Sequence, residues 1–265
     1  MRSKMDTMST FLFDSIIFGP VWSRRLGESL GINLLPTNRK ICNFNCVYCE
    51  CGLTPAGSEP EGFPQAQQVK EKLIERLEEM KRKGEYLDSI TFAGNGEPTM
   101  HPDFAQIMED TLEIRNRIFP DARVTVLSNA TLAGNAVIFE ALQKADMNIL
   151  KLDSAIEETL LRINCPRGNF RLTEVIETLK RFQGKLVIQT LFFSGLYNDH
   201  PIDNTTEKEL DAWTNVIRQV WPEYVMIYSI ARDKAVEGLK RVPADKLERI
   251  AHRLEQAGIA VQVTP

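Results

Sequence analysis

Cys42, Cys46 and Cys49 stand at the spacing C-x3-C-x2-C and Cys51 follows two residues later, so four of the five cysteines of a 265-residue chain fall within ten positions. Chance does not account for such a triple in a chain this poor in cysteine. Thiols bunched so tightly cannot staple distant parts of the chain, and five is an odd number, so a disulfide framework is not expected. Reduced, soft thiolates in one loop suit zinc or an iron-sulfur cluster. Structural zinc wants a fourth protein ligand. Only one residue separates Cys51 from Cys49, which strains a tetrahedron that uses both. His101 serves only if a second loop folds over the first. A cluster held by three cysteines would instead leave one iron free to chelate a small molecule. At the level of the residues both readings stay open.

Such a loop needs a scaffold. Apolar runs at 31–35, 89–93, 123–127, 148–152, 185–193 and 224–228 alternate with amphipathic stretches. In the first of these stretches Val69, Leu73, Leu77 and Met80 recur at helical spacing, with Glu and Lys on the other face. Strand, helix, strand, repeated, predicts a parallel sheet with helical crossovers. The apolar runs alternate little, as strands covered on both faces should. Six βα units are too few for a closed eight-stranded barrel. The fold class expected is α/β, a partial (β/α)6 TIM-like barrel of parallel strands, open on one side. Residues 1–265 read as a single domain, with 1–30 as an N-terminal extension, 31–230 as the core and 231–265 as a closing helix and strand.

Each apolar run ends in something polar. The cysteine loop follows the first, and Gly94, Asn95, Gly96 and Glu97 follow the second. The third runs into Ser128 and Asn129, the fourth carries Lys151 and Asp153, the fifth carries Gln189 and Thr190, and the sixth opens into 229–234. In a parallel α/β fold these tips share one rim, where active sites form. Glycines allow close backbone approach, and a carboxylate such as Glu97 is a natural partner for an ammonium group. The bland alternatives are a tight turn at Gly94–Gly96, a helix N-cap at Ser128–Asn129 and an internal salt bridge between Lys151 and Asp153, which two-residue spacing puts on one face of a strand. Gln189 and Thr190 read as barrel-lining polar groups.

The motif C-x3-C-x2-C with Tyr48 before its last cysteine resembles the signature of the radical S-adenosylmethionine (radical SAM) superfamily. That resemblance implies a 4Fe-4S cluster on Cys42, Cys46 and Cys49, with S-adenosylmethionine on the remaining iron and Tyr48 near the adenine. It implies further cofactor-binding roles residue by residue: Gly94, Asn95, Gly96 and Glu97 at the amino group of the methionine moiety, Ser128 and Asn129 at the ribose, and Lys151 and Asp153 at the carboxylate or ribose; Thr190 joins this cofactor-binding set as a barrel-lining group. The implied activity is reductive cleavage of S-adenosylmethionine to a 5′-deoxyadenosyl radical that abstracts hydrogen from a substrate, fed by an external one-electron donor such as flavodoxin or ferredoxin. The segments 18–36, 42–52, 94–102, 151–164, 203–211 and the closing 247–261 are similar to the subgroup of wyosine-type tRNA guanine synthetases. Those enzymes carry three further cysteines upstream, and here no cysteine precedes Cys42, so their second-cluster chemistry does not carry over. A tRNA base, a peptide and a small metabolite are the substrate classes weighed, and a zinc- or cluster-binding module is the non-enzyme alternative. No catalytic acid, base or hydrogen donor is identifiable.

Composition is that of a folded, water-soluble protein, with 43% hydrophobic and 26% charged residues. A net charge of −4 offers no global attraction to phosphate backbones. Nucleic-acid binding would need a local basic patch, for which Arg24 with Arg25, Arg39 with Lys40, and Lys81–Lys83 are candidates. The last three read more simply as the solvated end of a helix. No leader and no run long enough to cross a bilayer is apparent, so the expected location is the cytoplasm, away from membranes. Cys51 and Cys165 read as free thiols without an assigned role.

Overall fold

The computed structural model describes residues 11–55, 57–231 and 236–265; Arg232, Asp233 and Lys234 of the sixth rim segment lie outside the described residues. The chain opens with an antiparallel hairpin of β1 (Ile17–Ser23) and β2 (Gly27–Ile32). From β2 a parallel ladder runs through β3 (Ser89–Phe92), β4 (Arg123–Ser128), β5 (Met147–Lys151), β6 (Val187–Tyr197), β8 (Tyr224–Ser229) and β10 (Val261–Thr264). β1 and β10 end the path without pairing to each other, so the sheet is open, as expected of a partial barrel. The segment at 258–263, expected only as an addition, contributes a seventh parallel strand beside β8. Beyond the rim, β6 continues into antiparallel pairing with β7 (His200–Asp203) and β9 (Leu239–Arg241).

The first strand lies earlier than its hydrophobicity suggests. Leu34 and Leu35 are fully buried, yet the strand stops at Ile32 because the Asn33 side chain accepts hydrogen bonds from the amides of Leu35 (3.2 Å) and Asn95 (3.1 Å) and turns the chain onto the rim. The crossovers are α1 (Ala66–Lys83), α2 (Phe104–Ile118), α3 (Ala136–Lys144), α4 (Glu157–Asn164), α5 (Leu172–Arg181), α6 (Glu207–Val220) and α7 (Ala244–Glu255). α1 follows its sequence pattern. Gln65 and Gln68 form a capping box at its start, Gly84 closes it in the left-handed conformation, and Val69, Leu73, Leu77 and Met80 are buried. Each of these four side chains contributes roughly 1.5–3 kcal/mol by leaving water. Lys81, Arg82 and Lys83 occupy its last turn, where cations suit the helix dipole.

Strand alternation sorts the barrel-lining candidates. Adjacent residues on a strand face opposite ways, so Gln189 and Thr190 cannot both line the interior. Gln189 does, with its side-chain oxygen accepting from the Tyr228 hydroxyl at 3.4 Å. Thr190 does not: its hydroxyl donates to the Leu152 carbonyl at 2.7 Å and accepts from the indole N–H of Trp213 on α6 at 3.1 Å. Its assignment to the cofactor set is therefore corrected. Thr190 ties the outer face of the sheet to a helix. We expect Thr190→Val, which keeps shape and strands the Trp213 N–H, to lower unfolding free energy by about 1–3 kcal/mol in urea titration while leaving affinity for S-adenosylhomocysteine unchanged.

Candidate metal centre and cofactor pocket

The cysteine loop is fixed to the rim by its own backbone. The Ile41 amide donates to the Asn95 carbonyl at 2.9 Å, and the Ile41 carbonyl accepts from Glu97 N–H at 3.1 Å. Gly96, at φ +145°, permits this approach: a Cβ there would lie 1.7 Å from the Ile41 oxygen. Gly94, at φ +144°, similarly leaves room for Asn33. Both glycines thus admit neighbouring protein. The other side of the loop rests on the end of α4, where the amides of Asn45 and Val47 donate to the carbonyls of Asn164 (2.8 Å) and Ile163 (2.9 Å). Cys165 caps that helix in the left-handed conformation with its thiol toward the Arg162 carbonyl at 3.3 Å, which gives this thiol a local structural role.

Glu97 is buried and crowded with donors. One carboxylate oxygen accepts from the Thr99 amide (3.1 Å), the Thr99 hydroxyl (2.5 Å) and the Ser128 hydroxyl (2.8 Å), and the other from the Asn129 amide (2.7 Å). Burial raises its pKa, and these hydrogen bonds oppose the rise. Only the second oxygen keeps capacity for an incoming ammonium. Ser128 and Asn129 meet Glu97 and the cysteine loop together, since Asn129 donates to Asn43 at 2.7 Å and points its amide toward the Cys42 sulfur at 3.8 Å. No helix starts at this pair; the next one is capped by Asn135. Asn95 departs from its expected role. Its buried side chain accepts from the Phe13 amide and donates to the carbonyls of Phe13 and Pro36, each within 2.9 Å, so it braces the rim and has no group left for a cofactor.

A second cluster lies across the barrel mouth. Asp153 is buried; it accepts from the Tyr48 hydroxyl, from Asn164 at 2.7 Å and from the Leu191 amide at 3.0 Å, and pairs with Lys151 at 3.8 Å. The internal salt bridge anticipated for Lys151 and Asp153 is present. Lys151 also donates to the Tyr228 hydroxyl at 3.3 Å and lies 4.9 Å from the centre of the Tyr48 ring. Burial would lower the Lys151 pKa, but Asp153 and its other neighbours outweigh it and hold the ammonium above its usual value. Burial and the adjoining carboxylate keep the Tyr48 phenol protonated well above its ordinary pKa. Tyr48 and Glu50 of the cysteine loop, Thr91, Leu191, Tyr228 and Arg25 line a cavity of about 350 Å³. A larger hollow of about 410 Å³ against Lys72 and Arg76 on α1 touches none of these groups.

Two residues at the thiols were not singled out as ligand neighbours from the sequence. Lys40, read there only as a basic-patch candidate, is buried, with its ammonium on the Gly52 carbonyl at 2.8 Å. Burial pulls its pKa down, and the charges of Cys49, Cys42 and Cys46 more than restore it. Asn164 donates to the Cys46 sulfur at 3.2 Å and to Tyr48 and Asp153. The only advance signal for either was position, beside the motif or at a helix end. Burial pushes the Cys42 thiol up to about 12 and Cys46 up to about 11. Cys49 falls to about 5, chiefly because the Cys51 thiol donates to it, and Cys51 rises for the same reason. With Cys42 and Cys46 held protonated, a metal taken up on these thiols would displace their protons.

Among the described residues no group of three or more His, Cys, Asp or Glu side chains is placed to hold a single ion. Of the two fourth zinc ligands considered, His101 is committed elsewhere: it uses Nε2 on the Pro64 carbonyl (2.8 Å), and its Nδ1 accepts from the Asp103 amide (3.0 Å). Cys51 stays beside Cys49, with its sulfur 3.5 Å from the Gly94 carbonyl.

Gly96→Ala is expected to cost several kcal/mol in thermal or urea unfolding and to loosen the cysteine loop, whereas Gly134→Ala, with one neighbour at 3.6 Å, stays within about 1 kcal/mol. His101 gives a pH signature. Burial lowers its pKa below the usual 6.5, so the unfolded chain binds the proton first. Its stabilising contribution is complete above about 6.5 and declines as pH falls from there toward the folded value. His101→Gln should flatten the pH 7 to 5 part of the stability curve measured by urea unfolding.

A description of the radical SAM superfamily matches residues 40–207, more than half of the chain. A UPF0026 protein of Synechocystis is 28% identical over 275 residues, covering 94% of this chain and 96% of that protein. A GTPase Obg of Brachyspira hyodysenteriae is 26% identical over 251 residues, 93% of this chain, but the chain spans only 34% of that longer protein. In fold, a radical SAM methyltransferase from Sphaerobacter thermophilus superposes at a TM-score of 0.65 with 13% identity, covering 89% of this chain and 65% of that one. Archaeal TYW1 superposes at 0.54 with 13% identity, covering 86% and 71%. Superfamily members are enzymes that bind a 4Fe-4S cluster and S-adenosylmethionine. The chain belongs to the radical SAM superfamily.

Proposed function

We propose that this protein is a radical enzyme in which Cys42, Cys46 and Cys49 hold a 4Fe-4S cluster and the neighbouring rim holds S-adenosylmethionine. The observation that carries the reading is the arrangement of three thiols of one loop around buried Lys40, beside the cavity at the strand tips. When bound, the cluster and cofactor supply one-electron reductive cleavage of the sulfonium to methionine and a 5′-deoxyadenosyl radical, which takes hydrogen from the substrate. The protein's own residues position and shield. Lys40 offsets thiolate charge, Asn129 and Asn164 orient the sulfurs of Cys42 and Cys46, and the Glu97 oxygen that accepts only from the Asn129 amide would receive the methionine ammonium. Ser128 and Asn129 would hold the ribose, and Tyr48, fixed by Asp153, would wall the adenine. Lys151 offers its remaining donors to the cofactor carboxylate. The electron comes from an external donor of the flavodoxin or ferredoxin type. The open side of the sheet suits a substrate group presented on a larger molecule, and a base of tRNA is the candidate the subgroup likeness favours.

Anaerobic reconstitution should give a brown protein with about four irons per chain that releases 5′-deoxyadenosine from S-adenosylmethionine under dithionite. Cys42→Ala, Cys46→Ala and Cys49→Ala should each lose both iron and turnover, while Cys51→Ala keeps its iron. A colourless protein that takes up zinc and needs Cys51 to do so would sink the reading.

A further inference from the structure

Arg24 and Arg25 form the turn of the β1–β2 hairpin and have different surroundings. Arg24 is exposed and donates to the Pro265 carbonyl at 2.8 Å. Arg25 turns toward the cavity, where its guanidinium lies 4.6 Å from the centre of the Tyr228 ring. One of its terminal nitrogens is buried without a hydrogen-bond partner, and it forms no ion pair with any described carboxylate. Lys151 approaches the same ring at 5.8 Å and the Tyr48 ring at 4.9 Å, so cation and ring alternate from Arg25 to the cysteine loop. The two cations are not equivalent. Lys151 has Asp153 as its counter-charge, whereas Arg25 has no carboxylate paired with it among the described residues and lines a hollow that Tyr48 and Glu50 of the cysteine loop also line. A guanidinium resting over an aromatic ring is held in place with its planar fork of donors, which recognises an oxyanion through paired hydrogen bonds.

We propose that Arg25 is a specificity residue: it binds a phosphate or carboxylate group of the substrate, whose remaining part then extends along Tyr228 toward Tyr48. The proposal rests on the function argued above, which supplies the reacting end of the same cavity. It adds the substrate class, a molecule bearing an oxyanion.

Two probes read the site directly in the reconstituted full-length protein: inorganic phosphate and acetate, titrated by calorimetry at low ionic strength, with S-adenosylhomocysteine as the control ligand. At least one probe should bind, and Arg25→Gln should weaken it roughly tenfold or more, as loss of a charged donor requires. Arg25→Lys should fall between the two, and both variants should retain the wild-type affinity for S-adenosylhomocysteine and the wild-type melting curve. Preference for phosphate identifies a phosphorylated substrate, and preference for acetate a carboxylate. Failure of both probes to bind, equal binding by Arg25→Gln, or a parallel loss of S-adenosylhomocysteine affinity would each overturn the proposal, the last by returning Arg25 to the cofactor. Wild-type protein that takes up iron and cleaves S-adenosylmethionine but binds neither probe sinks the oxyanion site alone. Protein that binds a probe at Arg25 but assembles no cluster sinks the function alone.

Discussion

The contact between Ile41 and Gly96 organises the rim. Paired backbone hydrogen bonds bring the start of the cysteine loop onto the tip of β3 at a distance that only glycine allows. Next along the chain, Glu97 reaches sideways to the amide of Asn129 and the hydroxyl of Ser128, and Asn129 returns to Asn43 inside the loop. Three segments far apart in sequence are thereby closed into one ring of hydrogen bonds around Cys42. A buried carboxylate with four donors is costly to assemble and costly to disturb, which makes Glu97 as much a strut as a ligand-binding group.

Charge sets the second constraint. Two of the three sulfurs in this desolvated loop are poorly ionised by themselves, as the raised Cys42 and Cys46 values show, while Cys49 is lowered by Cys51 and Lys40. Lys40 supplies one buried positive charge beside them. Across the mouth, the buried Lys151–Asp153 pair adds little net stability, because desolvation consumes most of its attraction. Its worth is positional: Asp153 fixes Tyr48 and Asn164, and Asn164 fixes Cys46.

What was legible in the sequence was what is local. The thiol triple, the α1 stripe and the polar strand tips are patterns of a few residues with short periods, and the structure repeats them. Alternation separates Gln189 from Thr190, but which of the two faces inward depends on strand register. Asn95 stands in a glycine-rich turn that suggests a ligand, and its saturation by Phe13 and Pro36 arises from chain 82 and 59 residues away in sequence. Asn164 is hidden for the same reason, its Cys46 partner lying far off in the chain. Lys40 stands two residues before Cys42, and what local pattern does not reveal is its burial among the thiols.

The open side of the sheet gives these pieces a direction. A closed barrel would bury the interior face of β8, but here the β1 and β10 edges do not pair, and the hairpin turn fills part of the gap with Arg24 on Pro265 and Arg25 on Tyr228. The wall of the cavity opposite the cysteine loop is therefore made by side chains, which can be exchanged without breaking a ladder of backbone hydrogen bonds. The rim, by contrast, is tied by backbone and buried polar groups that tolerate little change. A fold divided in this way can hold its rim constant while the wall opposite varies, and the fold by itself does not decide what that wall binds.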